Sequence, residues 1–237
     1  MSATAAIVTI GNELVSGDVP NSNASWLAKR LEPLGIATRV LIAIPDELDV
    51  IAETIRRAAA RHDVVLVTGG LGGTPDDITR EALAHTFGVP QVEYPELVAD
   101  LTARFRGDPA YVTPWAHLPE GSRPLVNPLG GAPGFALENV YVFPGLPAEM
   151  EGMFLAIEEE FRRGSPIAAW RRVLHARESA IAPALVEVGE RWPGVLVGSY
   201  PTFSEDGPTV EVVLKSSDDA ELAAAAQWLE SALEQRG

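Results

Sequence analysis

Short apolar runs alternate with amphipathic segments along the first ninety residues. The apolar runs predict strands at residues 5–10 (AAIVTI), 36–44 (IATRVLIAI) and 63–68 (DVVLVT). Between the first two, residues 22–34 repeat apolar side chains at helical spacing, and a second such helix follows Pro45-Asp46. Strands that alternate with helices predict an α/β fold, with a mostly parallel sheet that carries helices on both faces.

The pattern is less regular over the next part of the chain. We predict helices over about 76–87, 94–106 and 147–163. Residues 107–146 hold much of the proline and glycine and predict irregular structure, with short strands near 124–127 and 139–143. These segments complete a first domain over residues 1–163.

A linker candidate, Gly164-Ser165-Pro166, separates this domain from a second pattern. The second pattern reads strand, helix, strand, strand, helix, at about 171–176, 178–191, 194–200, 208–214 and 218–235. It predicts a small α+β subdomain over residues 167–237.

Charge and composition exclude several classes of function. The 237 residues carry a net charge of −15, which disfavours nucleic acid as a partner. The absence of cysteine excludes disulfides, thiolate zinc sites and cysteine nucleophiles. We see neither a signal-peptide pattern nor an apolar stretch of membrane-spanning length, so we expect a cytoplasmic protein with no membrane partner.

Polar loops follow each of the first three predicted strands. They are GNELVSGDVPNSN, PDE and GGLGGTPDD, and each carries an acid or an amide just past a strand end. Ligands of open α/β sheets bind beyond the carboxyl ends of the strands. We therefore expect the three loops to converge at one rim of the sheet.

The loop after the third strand is rich in glycine. Glycine permits positive φ and a close approach of backbone to ligand, and glycines before a helix form an anion cradle. The loop is neither a Walker motif nor GxGxxG, so the signal is unspecific. Part of the motif has a purely structural explanation, in which Thr74 caps a helix, Pro75 is its first residue and Asp77 completes a capping box.

Two adjacent carboxylates, Asp76 and Asp77, end this loop. Carboxylates beside a phosphate site are typical of Mg²⁺, which takes oxygen ligands and bridges phosphates. The alternative for Asp76 is a solvated carboxylate that the helix dipole favours.

Four ordered motifs carry a resemblance to a known family. They are TIGNELVSGDVPNSNASWLA, VTGGLGGTPDDITREALA, LPEGSRPLVNPLGGAPG and FPGLPAEMEGMF, and they run from Ile7 to about Phe154. With their spacings they resemble the amino-terminal region of the competence/damage-inducible protein A family, which has the molybdopterin-binding fold. The later segments ARESAIAPAL and VLVGSYPTF resemble the small subdomain that follows in that family.

The resemblance implies hydrolysis of the pyrophosphate bond of ADP-ribose with a divalent metal cation, Mg²⁺ or similar. Full-length members also carry a carboxyl-terminal domain that deamidates nicotinamide mononucleotide, and we do not expect that activity in this chain. Molybdopterin adenylyltransferases, more distant relatives, have aspartates that match Asp46 and Asp77. Two positions depart from the family, since proline is usual at Gly73 and threonine at Gly131. Both departures are expected to affect activity or substrate choice.

Other candidate residues have structural alternatives. Gly11, Asn12 and Glu13 follow the first strand, where Gly-Asn alone would make a turn. Asn21 and Asn23 are candidates for hydrogen bonds to the ligand, although one of them would also cap a helix. Asp46 is a candidate ligand contact or the N-cap of the next helix, with Asp49 three residues on.

The last candidates lie in the third and fourth motifs. Gly134 and Gly145 are predicted in turns that shape the floor of the pocket, with backbone geometry alone as the alternative. Glu149 is placed where a carboxylate would bridge a metal, or it only favours the dipole of the helix that it opens.

The preferred hypothesis is metal-assisted hydrolysis of a small nucleotide diphosphate by a homo-oligomer. The catalytic candidates are Asp77, Asp46 and Glu13, and the metal candidates are Asp76, Asp77 and Glu149. The substrate-binding candidates are Gly11, Asn12, Asn21, Asn23, Thr68, Gly69, Gly70, Gly72, Gly73, Thr74, Gly134 and Gly145. The alternatives are a molybdopterin or nucleotide binding module without hydrolysis, and an adenylyltransferase of molybdenum cofactor biosynthesis.

Overall fold

The apolar run near the start of the chain forms a central strand, β1 (Ala3–Ile10), whose last six residues are buried. The computed structural model describes residues 3–104, 109–205 and 207–234. In it, β1 pairs in parallel with β2 (Ile36–Ile44) on one side and with β3 (Val64–Thr68) on the other. The three apolar runs of the sequence are therefore the adjacent strands of one parallel sheet.

Three further strands extend this sheet beyond β3. The strand β8 (Val140–Phe143) pairs with β3 in parallel, and β7 (Gly134–Leu137) and β6 (Arg123–Leu125) continue the sheet in antiparallel pairing. Within the described residues the sheet thus has six strands in the order β2-β1-β3-β8-β7-β6. Two short strands, β4 (Gln91–Glu93) and β5 (His117–Pro119), pair with each other separately.

Helices cover both faces of the sheet. They are α1 (Asn12–Ser16), α2 (Ser22–Leu31), α3 (Leu48–Ala59), α4 (Thr79–Phe87), α5 (Pro95–Arg104), α6 (Pro109–Val112) and α7 (Pro147–Ile157). Three 3₁₀ turns occupy Glu32–Leu34, Thr113–Ala116 and Glu158–Phe161. Successive side chains of β1 point to opposite faces and all of them from Ala5 to Ile10 are buried, which requires cover on both sides. The predicted α/β class with a mostly parallel sheet is confirmed.

The local predictions around the glycine loop need correction. The helix expected from residue 76 begins at Thr79, because residues 74–77 close a separate turn in which the Asp77 N–H donates to the Thr74 carbonyl at 3.0 Å. Thr74 is therefore not a helix cap, and Pro75 is not a first helical residue. Likewise α3 begins after Glu47, so Asp46 is not its N-cap.

Other boundaries also differ from the prediction. The segment after β1 was expected to be a loop and contains α1, and Gly134 lies in strand β7 and not in a turn. The helix expected over 22–34 ends at Leu31 and continues as a 3₁₀ turn. The last two residues of the helix expected over 94–106 lie outside the described residues. Among the helices that are described, none combines the length and the apolar character needed to cross a membrane.

The chain divides into two compact units by its internal contacts. The second unit contains Glu32–Gly35 together with the chain from Arg163 onward. Its elements are β9 (Ala168–Leu174), α8 (Glu178–Arg191), β10 (Leu196–Ser204), β11 (Gly207–Ser216) and α9 (Asp219–Glu234). The strands of this unit form an antiparallel sheet in the order β10-β11-β9. The predicted small α+β subdomain is confirmed as a fold class.

Candidate functional site

The carboxyl ends of four parallel strands meet at one cavity of about 530 Å³. Residues just past β1, β2, β3 and β8 line it, as expected from the convergence of polar loops at one rim. The predicted site residues in its lining are Gly11, Glu13, Asp46, Gly69, Gly70, Gly72, Asp76, Asp77, Gly145 and Glu149. The other candidates, Asn12, Asn21, Asn23, Thr68, Gly73, Thr74 and Gly134, are not in this lining.

Thr79, the first residue of α4, anchors the start of the glycine loop. Its hydroxyl donates to the carbonyl of Gly69 at 2.9 Å, and its N–H donates to the carbonyl of Gly70 at 3.2 Å. Both glycines have positive φ, 112° and 65°. A Cβ on Gly70 would lie 2.2 Å from the Thr79 Oγ1, so the turn needs glycine there for internal packing as well as for its backbone conformation.

Arg80 anchors the second half of the loop. The residue is 95% buried, and its guanidinium donates to the carbonyls of Leu71 and Gly72 at 2.8 Å each. The Trp115 indole also donates to the Gly72 carbonyl, at 3.0 Å. Burial lowers the pKa of Arg80 to about 10, with the nearby charge of Asp77 acting in the opposite direction, so the side chain remains cationic at neutral pH.

The carbonyl groups and the N–H groups of the glycine loop therefore differ in their hydrogen bonding. All four carbonyls from Gly69 to Gly72 accept hydrogen bonds from Thr79, Arg80 or Trp115. The N–H groups of residues 70–73 have no acceptor within the described part of the chain. The loop thus offers consecutive free donors beside the cavity, an arrangement suited to an anion.

Asp77 bends back onto the same loop. Its Oδ2 accepts from the N–H of Thr74 at 2.8 Å and from the Thr74 hydroxyl at 2.6 Å. A Cβ on Gly72 would lie 2.5 Å from this Oδ2. Glycine at position 72 therefore makes room for the carboxylate, and Thr74 fixes one of its oxygens while the other stays available.

Asp46 is a carboxylate of the cavity whose surroundings raise its pKa. Its Oδ2 accepts from the Asn12 N–H at 2.9 Å. Burial raises the pKa of Asp46 above the ordinary 3.8, the Asn12 N–H partly opposes this, and the charges of Asp76, Glu13 and Asp77 raise it further. A carboxyl of raised pKa in a cavity is suited to accept a proton.

Glu149, in the same lining, is held by Asn127, which is 99% buried. The Asn127 Nδ2 donates to a Glu149 carboxylate oxygen at 2.9 Å and to the Ala132 carbonyl at 3.0 Å. A Cβ on Gly131 would lie 2.3 Å from Glu149 Oε1. Likewise, a Cβ on Gly11 would lie 2.4 Å from Glu13 Oε1. Glycine thus leaves space for a carboxylate at three places in the site.

The remaining candidates lie around the cavity. Asn21 caps α2, because its Oδ1 accepts from the Ala24 N–H at 3.2 Å. Gly73 lies against the ring of Tyr111, to which a Cβ would come within 2.7 Å. Tyr111 and Trp115, whose ring centroids are 5.6 Å apart, form an aromatic wall of the cavity. Gly134 packs in the sheet, where a Cβ would meet the Val142 carbonyl at 2.2 Å.

The carboxylates fit a divalent cation only in part. Among residues 3–104, 109–205 and 207–234, no group of three or more His, Asp or Glu side chains is arranged to hold a metal ion. Asp76, Asp77 and Glu149 therefore do not form the complete ligand set that was expected of them. Mg²⁺ commonly binds through one or two carboxylates with phosphate oxygens and water, and the lining supplies such carboxylates.

Sequence reasoning missed Arg80, Asn127, Trp115 and Tyr111. Arg80 and Asn127 act on partners that are brought to them by the fold, so no spacing in the sequence marked them. A weak signal existed for Arg80, since it closely follows the loop, just before the apolar Ala82, Leu83 and Ala84 of the same helix.

Comparison with known protein families identifies the class of protein to which this fold and site belong. The sequence profile described as "Probable molybdopterin binding domain" matches residues 6–163, and the profile described as "FAD synthase, middle domain" matches residues 172–237. Because the first match spans more than half of the chain, the chain belongs to the family of probable molybdopterin-binding domains.

Individual relatives agree with this assignment. A protein of Archaeoglobus fulgidus is 41% identical over 195 residues, which cover 82% of this chain and 84% of that protein. A CinA-like protein of Frankia casuarinae is 38% identical over 237 residues, 92% of this chain but 55% of that protein. The crystal structure of the protein CinA with unknown function from Thermoplasma acidophilum has a TM-score of 0.63 at 32% identity, covering 67% of this chain and 98% of that one. The resemblance to the competence/damage-inducible protein A family is confirmed.

Proposed function

We propose that this chain hydrolyses the pyrophosphate bond of ADP-ribose, giving AMP and ribose 5-phosphate, with a divalent cation such as Mg²⁺. One observation carries the proposal: the carbonyls of Gly69 to Gly72 all accept hydrogen bonds, while the N–H groups of residues 70–73 have no acceptor among the described residues. A diphosphate presents several acceptor oxygens close together, which match consecutive backbone donors. In a protein of net charge −15, such local donors are needed to hold an anionic ligand.

Asp46 is the proposed proton acceptor. In the reaction, a water oxygen bonds to one phosphorus while the bond from that phosphorus to the bridging oxygen breaks. The proton of the water passes to the Asp46 carboxylate, and the bridging oxygen leaves with the other phosphate. The raised pKa of Asp46 makes it a better base than an ordinary aspartate, and Glu13 in the same lining shares the role of orienting the water.

Asp77 and Asp76 would hold the cation together with phosphate oxygens and water, and Glu149 lies in the same lining. When bound, a divalent cation would neutralise the charge that develops on the phosphate oxygens. Thr74 fixes Asp77 and Asn127 fixes Glu149, so both carboxylates are oriented before any ligand arrives. Preorganised groups of this kind cost less to arrange at the moment of reaction.

A second candidate function follows from the family match. The profile that covers residues 6–163 is named for molybdopterin binding, and a pterin, like an adenine, is planar and would suit the wall of Tyr111 and Trp115. The chain would then bind molybdopterin or a nucleotide without hydrolysis, or form a pyrophosphate bond as an adenylyltransferase.

The test is to incubate the purified full chain with ADP-ribose, with Mg²⁺ and with EDTA. The proposal expects AMP and ribose 5-phosphate in equal amounts with Mg²⁺ only, and strongly reduced turnover in Asp77→Asn, which keeps an acceptor for Thr74. Saturable binding of ADP-ribose with no products at any metal concentration would select the binding module instead.

A further inference from the structure

The amide of Asn23 has an orientation that its neighbours fix. Its Nδ2 donates to the Gly145 carbonyl at 2.8 Å and to Thr68 Oγ1 at 3.0 Å. The carbonyl can only accept, and the one hydroxyl proton of Thr68 is donated to the Pro144 carbonyl at 2.7 Å. The nitrogen of the amide must therefore face these two acceptors, and the oxygen must face the other way.

The Asn23 Oδ1 is buried and has no hydrogen-bond donor among the described residues. Buried side-chain oxygens in folded proteins nearly always have a partner. Asn23 also lines a side cavity of about 90 Å³. The side cavity shares Ile10, Glu13, Val19, Gly145 and Pro147 with the main cavity, so the two cavities adjoin.

We propose that the side cavity is a ribosyl subsite, in which Asn23 Oδ1 accepts a hydrogen bond from a ribose hydroxyl of the nucleotide. The proposal rests on the proposed function, because a diphosphate held at the glycine loop brings its sugar to this position. Thr68 lines the side cavity and directly precedes Gly69, the first residue of the loop. The sugar is the group that is bonded directly to the diphosphate.

The chemistry of the lining selects a hydroxyl over the other parts of a nucleotide. A phosphate offers acceptors at neutral pH, whereas Asn23 Oδ1 needs a donor, and the Glu13 carboxylate in the same lining repels an anion. The aromatic wall of Tyr111 and Trp115, which suits a planar ring, lines the main cavity and is not in the lining of the side cavity. The other polar side chains of the lining, Thr9, Asn21, Ser22 and Thr68, are neutral, as is typical of a site for sugar hydroxyls.

Calorimetric titration with deoxy analogues tests this subsite. All titrations use Asp46→Asn protein with Mg²⁺ to suppress turnover, and the ligands are ADP-ribose and analogues that each lack one ribose hydroxyl. We expect one analogue to bind about 10-fold to 100-fold more weakly than ADP-ribose, because the missing hydroxyl leaves the buried Asn23 Oδ1 unpaired. In Asn23→Ala protein ADP-ribose itself should bind more weakly, and removal of that same hydroxyl should have no further effect. Asn23→Ser serves as the second variant where Asn23→Ala does not fold.

Asn139→Ala is the matched control. The Asn139 Nδ2 also donates to two backbone carbonyls, those of Ala59 at 3.0 Å and His62 at 2.8 Å, and the residue is outside both cavity linings. This variant should keep the discrimination between ADP-ribose and its analogues.

The outcomes separate the subsite from the proposed function. Equal binding of every analogue by a protein that hydrolyses ADP-ribose overturns the subsite alone. Discrimination that depends on Asn23, in a protein that binds ADP-ribose without hydrolysing it, supports the subsite and overturns the hydrolytic function. Discrimination that persists unchanged in Asn23→Ala, or no binding of any ribosyl compound, overturns the subsite.

Discussion

The buried guanidinium of Arg80 donates a hydrogen bond of 2.8 Å to the carbonyl oxygen of Gly72. With its second bond, to the Leu71 carbonyl, it pairs two carbonyls of the glycine loop, whereas the N–H groups of residues 70–73 have no acceptor in the described part of the chain. A loop of four glycines would otherwise sample many conformations, since glycine loses more freedom on folding than other residues. Arg80 therefore links the packing of α4 to the chemistry of the cavity.

The first prediction concerns this arginine. In Arg80→Met the Leu71 carbonyl loses its donor, while the Gly72 carbonyl keeps the Trp115 indole. We expect the free energy of unfolding to fall by about 3–6 kcal/mol, since each of two hydrogen bonds to a charged group typically contributes about 1.5–3 kcal/mol. ADP-ribose affinity should fall at least about 10-fold, because the free N–H groups are no longer held together. Urea titration and calorimetry measure the two effects.

Arg123→Met is the control for that variant. Arg123 pairs with Glu160 at the surface, where both side chains are at least 41% exposed, and exposed ion pairs contribute at most about 1 kcal/mol. It should change neither quantity strongly. If Arg80→Met changed the free energy of unfolding and the ADP-ribose affinity as little as Arg123→Met, the hydrogen bonds of Arg80 would not control the glycine loop.

The second prediction concerns the pH dependence of turnover. Because burial and the charges of Asp76, Glu13 and Asp77 raise the pKa of Asp46, the acidic limb of kcat/KM should lie above the ordinary aspartate value of 3.8. Glu13→Gln removes one of these charges, so the limb should move to lower pH. A limb that stays in place would show that another group is the base.

The third prediction separates catalysis from stability at Asp46. A carboxyl whose pKa is raised on folding stabilises the protein below its unfolded pKa, and this contribution is lost as the pH rises through the folded pKa. Asp46→Asn keeps an acceptor for the Asn12 N–H and removes the charge. We therefore expect the Tm at pH 7 to be unchanged or higher, while kcat falls about 10²-fold to 10⁴-fold. A large fall in Tm with normal kcat in the folded fraction would assign Asp46 a structural role.

The fourth prediction compares two glycines of the cavity. Gly70→Ala combines a φ of 65° with a contact of 2.2 Å to Thr79, so it should lose about 1–3 kcal/mol of stability whatever the loop binds. A Cβ on Gly145 would meet only the Gly69 Cα, at 3.5 Å, an ordinary contact. Gly145→Ala should therefore keep its Tm and lose ADP-ribose affinity. Unchanged affinity in this variant would place the ligand away from the loop.

The fifth prediction concerns Gly131 and metal dependence. A Cβ at position 131 would meet both carboxylate oxygens of Glu149, at 2.3 and 2.5 Å, so Gly131→Ala should push Glu149 off Asn127. The Mg²⁺ concentration for half-maximal turnover should rise several-fold, and Glu149→Gln should add little in this background. Gly189→Ala, where a Cβ would meet no atom within 4 Å, is the control and should leave the metal dependence unchanged.

The sequence predicted the sheet well because its signals are local. The apolar runs that became β1 and β3 are buried on both faces, and a fully buried strand needs a continuous apolar run. The run that became β2 is buried only at Ile36 and Ile44 and is partly exposed between them, at one edge of the sheet. The predicted start of α4, at residue 76, was wrong for a physical reason. Thr74-Pro75-Asp76-Asp77 has the residues of a capping box, and the same Thr74–Asp77 bonds close an isolated turn when the helix starts later.

The site was predicted less completely than the fold. Strand-end residues such as Asp46 and Gly69 were accessible to prediction, because the carboxyl ends of parallel strands meet at one rim. Arg80, Asn127 and Tyr111 were not, since each acts on a partner far from it in sequence or on a backbone atom. The roles of Gly72 and Gly131 in making room for carboxylates also depend on side-chain packing, which no sequence pattern encodes.

The most direct test of the central claim is the backbone amide spectrum of ¹⁵N-labelled Asp46→Asn protein titrated with ADP-ribose and Mg²⁺. The account predicts that the amide signals of Gly70, Leu71, Gly72 and Gly73 shift together and saturate at the calorimetric affinity, because these N–H groups bind the diphosphate. Ribose 5-phosphate, with one phosphate, should shift them less. Saturable ADP-ribose binding that leaves all four signals in place would contradict the account.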